Sequence, residues 1–291
     1  HPSAARVTAV VVSYNAAHVL GDALRALPAG VRAIVVDNAS RDGSADAARV
    51  ARADCEVAAL ARNVGYGAAN NVGLWRVETD FAVLVNPDLR VAPEALARCV
   101  AAMDADPTIG ALGADGPGEG APRDVDAIVG AFLVLRMEAA RAVGGFDERI
   151  FLYFEDNDLC IRIREAGWRV ALVPGVEATH LERSSIGAAH DSAAERDWLW
   201  GGACAYFADK HRANRHGRAA ARKLAHYRVK RLLYAATGRA DAAAKMAARL
   251  AGADAVRRLG PETMSDNAFT TGTRRVSTRR PRPAPAETAT P

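Results

Sequence analysis

Three acids stand within four residues at Glu155-Asp156-Asn157-Asp158, directly behind the apolar run at residues 150–154. Carboxylates at a helix N-terminus ordinarily stabilise its dipole, and that role suits Glu155 and Asp158. Asp156 is different: an acid presented beside bulky apolar side chains is partly desolvated, which raises its pKa toward that of a usable general base. A second cluster, Asn86-Pro87-Asp88, ends another apolar run. Proline fixes φ there and Asn and Asp tolerate turn geometry, but Asp88 is also a hard oxygen ligand. A magnesium or manganese ion takes one or two protein groups and completes its shell with phosphate oxygens and water. His180 in VEATHLERSS is a candidate second ligand, with a structural histidine as the alternative. Asp37 closes a third apolar run, where its oxygen either accepts a pyrimidine N–H or a ribose hydroxyl, or caps its own turn. Tyr14 offers a ring for a base or for packing. Asn63, Gly65, Gly67 and Asn70 form a loop and helix start that lets backbone approach phosphate or sugar.

These residues need a scaffold that brings strand ends together. The first 115 residues alternate strand-length apolar runs with helical stretches, the pattern of βαβ units and a parallel sheet. Strands are expected at residues 7–12, 31–36, within CEVAAL and at FAVLV. Helices are expected at 18–27, from about Ser44, and after GYG. Each strand ends in a polar turn, so Ser13, Tyr14, Asn15, Asp37, Asn63, Gly65, Tyr66, Asn86 and Asp88 fall at one edge, where ligands of open α/β sheets collect. A dinucleotide-binding fold would need G-x-G-x-x-G after the first strand, and SYNAAH is not that. The Gly-, Pro- and Asp-rich residues 104–126 read as a long loop. AIVGAFLVLR then reads as a buried strand and MEAARAVGGF as a short helix. A helix follows from about Asp156 to Ala166, with Leu159, Ile163 and Ala166 on its apolar side, and a strand over residues 168–173. Residues 192–258 are helical in about three segments, and the Arg- and Pro-rich end has the composition of a disordered tail.

Half of the 291 residues are apolar, enough for a substantial core. No run reaches the roughly 18 apolar residues of a membrane span, and a secretory leader pattern is not seen. The four cysteines form no CxxC pair, which favours a reducing compartment. Charge is uneven: residues 201–291 carry 19 Lys/Arg against 6 Asp/Glu, and residues 1–200 carry 19 against 28. An acidic working half with a basic extension suits an anionic membrane surface or an ordinary solvated helix face. No nucleic-acid-binding signature accompanies the basic residues, so no nucleic acid is expected.

Taken in order, VVVSYNAAHVL, IVVDNASRDGS, RNVGYGAANNVGL, VLVNPDLRV and VGGFDERIFLYFEDNDLCIRIREAGWRV resemble the inverting family 2 glycosyltransferases, nearest the rhamnosyltransferase-like branch. The resemblance implies the GT-A nucleotide-diphospho-sugar transferase fold: α/β, a mostly parallel central sheet flanked by helices, here with a C-terminal helical extension. It implies a glycosyltransferase domain over residues 1–190, with a nucleotide-binding half at about 6–115 and an acceptor half at about 116–190. A basic helical extension at 191–259 and a disordered tail at 260–291 would follow. Tyr14 and Asp37 match positions that hold the donor base, Asn86 to Asp88 match the family's Asp-x-Asp, and Asp88 with His180 would hold Mg2+ or Mn2+. Asn86 replaces the first acid, leaving one charge fewer for the metal, and suits sugar or ribose better. Asp156, in the pair with Glu155, matches the catalytic base, and Gly130 and Ala131 match the acceptor pocket. The implied partners are a dTDP- or UDP-sugar donor, dTDP-rhamnose foremost, and a glycan or polyprenyl-linked acceptor. The implied location is cytoplasmic, with the basic region at the inner face of the membrane. A nucleotidyltransferase and a non-catalytic sugar-nucleotide-binding homologue are the alternatives.

Overall fold

The structure, a computed structural model, describes residues 4–180 and 193–265. Its centre is an eight-stranded sheet of order β3-β2-β1-β4-β8-β6-β9-β7. The strands are β1 (Val7–Ser13), β2 (Arg32–Asp37), β3 (Glu56–Ala59), β4 (Phe81–Val85), β6 (Ile109–Ala114), β7 (Arg123–Asp124), β8 (Phe132–Arg136) and β9 (Arg169–Val173). Strands β1 to β4 pair in parallel, as do β6 and β9, whereas β8 runs against β4 and β6 and β7 runs against β9. A separate antiparallel pair joins β5 (Leu89–Val91) to β10 (Ala178–His180).

The central strands β1, β2, β4 and β8 are buried, and apolar, at nearly every position because helices cover both faces. Along β1, Val7, Ala9 and Val11 pack into one core with Leu20 and Leu24 of α1 (Ala17–Ala26) and with Leu96 and Val100 of α4 (Pro93–Ala105). Val10 and Val12 point the other way, toward α3 (Tyr66–Leu74), α5 (Met137–Ala142) and α6 (Glu155–Glu165), which contributes Leu159 and Ile163. Helix α2 (Ser44–Ala51) packs beside α1. Beyond α6 the long helices α7 (Ala193–Lys210), α8 (Arg215–Ala236) and α9 (Ala240–Leu259) form a third layer. Their core joins Cys204, Phe207, Leu224 and Leu250 to Ile161 of α6, while Ile150 and Phe151 pack beside Trp198 and Leu199.

The expected loop at residues 104–126 is overturned. Residues 109–114 form β6, which is almost wholly buried between β8 and β9. Its glycines are packing devices, not breakers: a Cβ on Gly113 would lie 2.5 Å from Ile128 Cγ2, and one on Gly110 would lie 2.8 Å from Trp168 Cβ. Composition cannot separate such close-approach glycines from loop glycines. Ala166, expected on the apolar side of α6, is exposed at its C-cap. Residues 261–264 form a 3-10 turn, and the tail expected to be disordered lies, from residue 266 on, outside the described residues.

Candidate active site

The carboxyl ends of β1, β2 and β4 lie side by side, with Ser13 in register with Asp37. Both are buried, and Ser13 Oγ and Asp37 Oδ1 have no hydrogen-bond partner among the described residues. Buried polar atoms are normally satisfied, so this edge is chemically prepared for a ligand that donates. Asp37 Oδ2 accepts from the Ser40 amide at 3.3 Å. Asn15, at φ 52°, donates its amide to Ser40 Oγ and accepts from the Arg41 amide, which fixes the turns after β1 and β2 to each other. Tyr14 is half-buried beside them.

The role of Asn38 was not read from the sequence. It is buried, donates to Asn63 Oδ1 at 2.8 Å and accepts from the Val64 amide at 2.9 Å, tying the loop before α3 to β2. Gly65 ends that loop at φ +90°, where a Cβ would come within 2.4 Å of the Phe151 carbonyl. Only glycine fits there, and the next amide, Tyr66, donates to that carbonyl at 2.9 Å. Gly67, in the first turn of α3, sits against Phe146 from the segment after α5, so it serves packing. Asn70 is buried beneath the edge, its amide nitrogen spent on the Tyr66 carbonyl.

Because β8 runs antiparallel to β4, its beginning reaches the same edge: Val85 pairs with Phe132, and the Asn86 amide donates to the Ala131 carbonyl. The Tyr66 hydroxyl lies 3.0 Å from Asn86 Oδ1 and 2.9 Å from the Gly130 carbonyl, bridging the turn after β4 to the start of β8. Burial pushes its phenol pKa up, so it stays a donor.

Asp88 is buried at the end of the same turn. The β5–β10 register sets the backbone of His180 opposite Leu89, and Asp88 directly precedes that ladder. Among the described residues no group of three or more His, Cys, Asp or Glu side chains forms a metal cage. One carboxylate with a histidine strand beside it does not fit a structural zinc site, which needs four protein ligands. It does fit a hard divalent ion completed by phosphate oxygens.

Asp156 opens from the first turn of α6 into a cavity of about 530 Å3 lined by Tyr66, Asn86, Gly130, Ala131, Trp200 and Lys223, among others. The approach is contorted: Tyr153 and Phe154 both hold positive φ, 71° and 69°, a backbone cost of the kind kept at functional sites. Asp156 Oδ1 accepts from the Asn157 amide at 2.7 Å and side chain at 2.8 Å, and Oδ2 accepts from the Gly130 amide at 3.0 Å. Burial raises the Asp156 pKa, and these three donors work against the rise. Glu155 also lines the cavity, but burial and the neighbouring Asp156 charge push its carboxyl well above the ordinary range, and Oε2 has no partner among the described residues. Of the two acids, Asp156 is the one with donors that support an ionised form.

Asp158 faces away from the cavity. It is fully buried and accepts from Arg162 at 2.7 Å, Lys210 at 2.6 Å and His211 at 2.8 Å, so it locks α6 to the C-terminal layer instead of merely capping its helix. Trp200 and Lys223 reach the cavity from that layer, and nothing local in the sequence signals it.

Two family models match in succession, "Glycosyl transferase family 2" over residues 8–126 and "Glycosyltransferase like family 2" over residues 120–195. The chain belongs to glycosyltransferase family 2. Among its relatives, the N-acetylglucosaminyl-diphospho-decaprenol L-rhamnosyltransferase of Mycobacterium tuberculosis (strain H37Rv) is 27% identical over 210 residues, spanning 54% of this chain and 68% of that one. The rhamnosyltransferase WbbL of Escherichia coli (strain K12) is 43% identical over 56 residues, 19% of this chain and 21% of that one. Both relatives are named as rhamnosyltransferases. The mannosyltransferase PcManGT from Pyrobaculum calidifontis, solved in complex with GDP-Man and Mn2+, superposes with a TM-score of 0.58 at 20% identity, covering 86% of each chain. The expected GT-A fold is thereby established for this glycosyltransferase.

Proposed function

We propose that this glycosyltransferase moves L-rhamnose from dTDP-rhamnose to a hydroxyl of a lipid-linked glycan, with inversion at the transferred carbon. The observation that carries the reading is Asp156: a carboxylate with raised pKa, oriented by the Gly130 amide and by Asn157, in a cavity that also contains Asn86 from the nucleotide-side turn. The rhamnosyl donor and the polyprenyl-linked acceptor are inferred from the names of the relatives.

In this reading the acceptor hydroxyl sits in the cavity, where Asp156 takes its proton as the oxygen attacks the anomeric carbon. The bond from that carbon to the nucleotide diphosphate breaks on the opposite face, so the configuration inverts. Asp37 Oδ1 accepts the imino N–H of the thymine, or equally of uracil, while Ser13, Tyr14 and Asn15 form the wall beside it. The loop of Asn63, Gly65 and Tyr66 borders the sugar–phosphate side with Asn70 supporting it, and Asn86 faces the donor sugar. Gly130 and Ala131 leave room for the acceptor. Asp88 and His180 would hold Mg2+ or Mn2+, which supplies positive charge to offset the departing diphosphate. The basic helices would meet an anionic membrane surface where a lipid-linked acceptor resides.

A nucleotide-sugar panel followed by thermal shift, with and without Mn2+, tests the donor assignment, since a ligand that binds only the folded state raises Tm. A larger shift with dTDP-rhamnose than with UDP- or GDP-hexoses is expected. Equal shifts across the panel would overturn the rhamnosyl donor.

A further inference from the structure

A second cavity, of about 450 Å3, adjoins the catalytic one, and Phe154, Asn157 and Lys223 line both. The inner cavity holds Glu155 and Asp156, whereas the outer one has no acid in its lining and presents Arg222, Lys223, His216 and His226 from α8. Lys210, Arg215 and Arg249 of the C-terminal layer each sit on a carboxylate: Lys210 on Asp147 and Asp158, Arg215 on Asp126, Arg249 on Asp197. Among the described residues, neither Arg222 nor Lys223 has such a carboxylate partner. Lys223 is instead held over the Trp200 ring, 5.2 Å from its centroid, and that ring packs against Phe154 at the entrance to α6.

Along α8 the character of the surface then changes. Arg222, His226, Val229 and Leu233 follow one another at spacings of four, three and four residues, which puts them on one helix face. Val229 is 63% exposed and Leu233 56% exposed, large values for apolar side chains on a helix. Arg228 and Arg231 fall on the other side of the helix by the same 3.6-residue periodicity. From Asp156 the surface thus runs from a cavity with two acids and Lys223 at the part it shares with its neighbour, to one lined by basic side chains without an acid, to an apolar stripe.

We infer that the outer cavity is a binding site for the diphosphate of an amphiphilic acceptor, with Arg222 and Lys223 gripping the phosphates and Val229 and Leu233 meeting the start of its hydrocarbon chain. The assignment deepens the acceptor side of the proposed function and rests on it for the sugar that would reach Asp156. It accounts for why cations cluster beside the base at a distance from the Asp37–Asp88 edge. It also gives the acceptor a direction: sugar inward, phosphate at the rim, lipid along α8.

Farnesyl diphosphate is the probe, titrated calorimetrically into the full chain in EDTA so that metal-assisted binding at the donor edge is suppressed. Wild-type protein is expected to bind it more tightly than inorganic pyrophosphate. Arg222→Gln/Lys223→Gln should bind both roughly tenfold more weakly, the worth of one lost charge-assisted hydrogen bond. UDP binding in Mn2+, measured on the same variant, should stay unchanged, which reports an intact fold and donor edge. This binding readout is independent of transfer, so a wrong rhamnosyl assignment leaves it interpretable. Unaltered farnesyl diphosphate affinity in the double variant would overturn the site. So would parallel loss of UDP binding, which would assign the cations to the donor or to the fold. Phosphatidylglycerol vesicles form the remaining arm: vesicle binding that needs Arg222 and Lys223, without binding of farnesyl diphosphate, would make them a bilayer headgroup contact and overturn the acceptor assignment.

Discussion

Asp156 is the residue on which the proposed chemistry rests, because it alone among the cavity acids has three donors aligned on its carboxylate while burial raises its pKa. Asp156→Asn keeps the shape and removes the base, so turnover should fall roughly a hundred- to ten-thousand-fold while nucleotide affinity is retained. The sign of the pH dependence follows from the raised pKa. The base works only when ionised, so the rate should fall as pH drops through a value above the ~3.9 of a free aspartate. A pH–rate profile with its acid limb at or below that value would contradict the assignment. Tyr66→Phe is a gentler test. It removes only the hydroxyl that bridges Asn86 and Gly130, and each lost bond is worth about 0.5–1.5 kcal/mol. Chemical denaturation should therefore show a small stability loss, with a larger relative loss of transfer because Asn86 is no longer held. Asp37, Asp88 and Asp156 were each legible in the sequence from residue type and position after an apolar run. Asn38 and Asn157 were not: Asn38 acts through Asn63 and Val64 far along the chain, and Asn157 matters only through the way the helix start folds it back onto Asp156.

At the scale of elements, α6 is the hinge between the sheet and the C-terminal layer, and Asp158 is its lock. Burial alone would raise the Asp158 pKa, yet His211, Arg162 and Lys210 hold it below the ordinary value. A carboxylate depressed in the folded state contributes stability that is present above the unfolded pKa of about 3.9 and is lost as pH falls through the folded one. Asp158→Ala leaves Arg162 and His211 facing an uncompensated space, so urea unfolding should show a loss of about 3–5 kcal/mol. An effect below ~1 kcal/mol would mean the cluster behaves as a surface ion pair. Strand β6 makes the complementary case. Gly113→Val adds atoms where a Cβ already collides with Ile128 and Leu172, at a cost of about 1–3 kcal/mol or more. Strands β1, β2 and β4 were readable because their apolar runs are nearly uniform and punctuated by polar turns, and the weaker β3 because the same alternation requires it. Strand β6 was not, since Gly and Ala in IGALGA carry the signature of a loop until Trp168, Ile128 and Leu172 are brought against them.

For the whole molecule, the proposed donor edge belongs to the first half of the chain, and the cavity beside Asp156 is finished by Trp200 and Lys223 from the C-terminal helices. The mostly parallel sheet flanked by helices followed from the alternation of elements together with the family resemblance. The closure of the cavity by α7 and α8 did not, because no periodicity links Lys223 to Asp156 across the intervening chain. The most direct measurement is transfer itself: wild-type protein and Asp156→Asn incubated with dTDP-rhamnose, Mn2+ and an N-acetylglucosaminyl-diphospho-polyprenol, with the lipid product read by mass spectrometry and its anomeric configuration by NMR. The account predicts a rhamnosylated lipid of inverted configuration from the wild type and essentially none from the variant. Product formed as fast by Asp156→Asn, or with retained configuration, would contradict it.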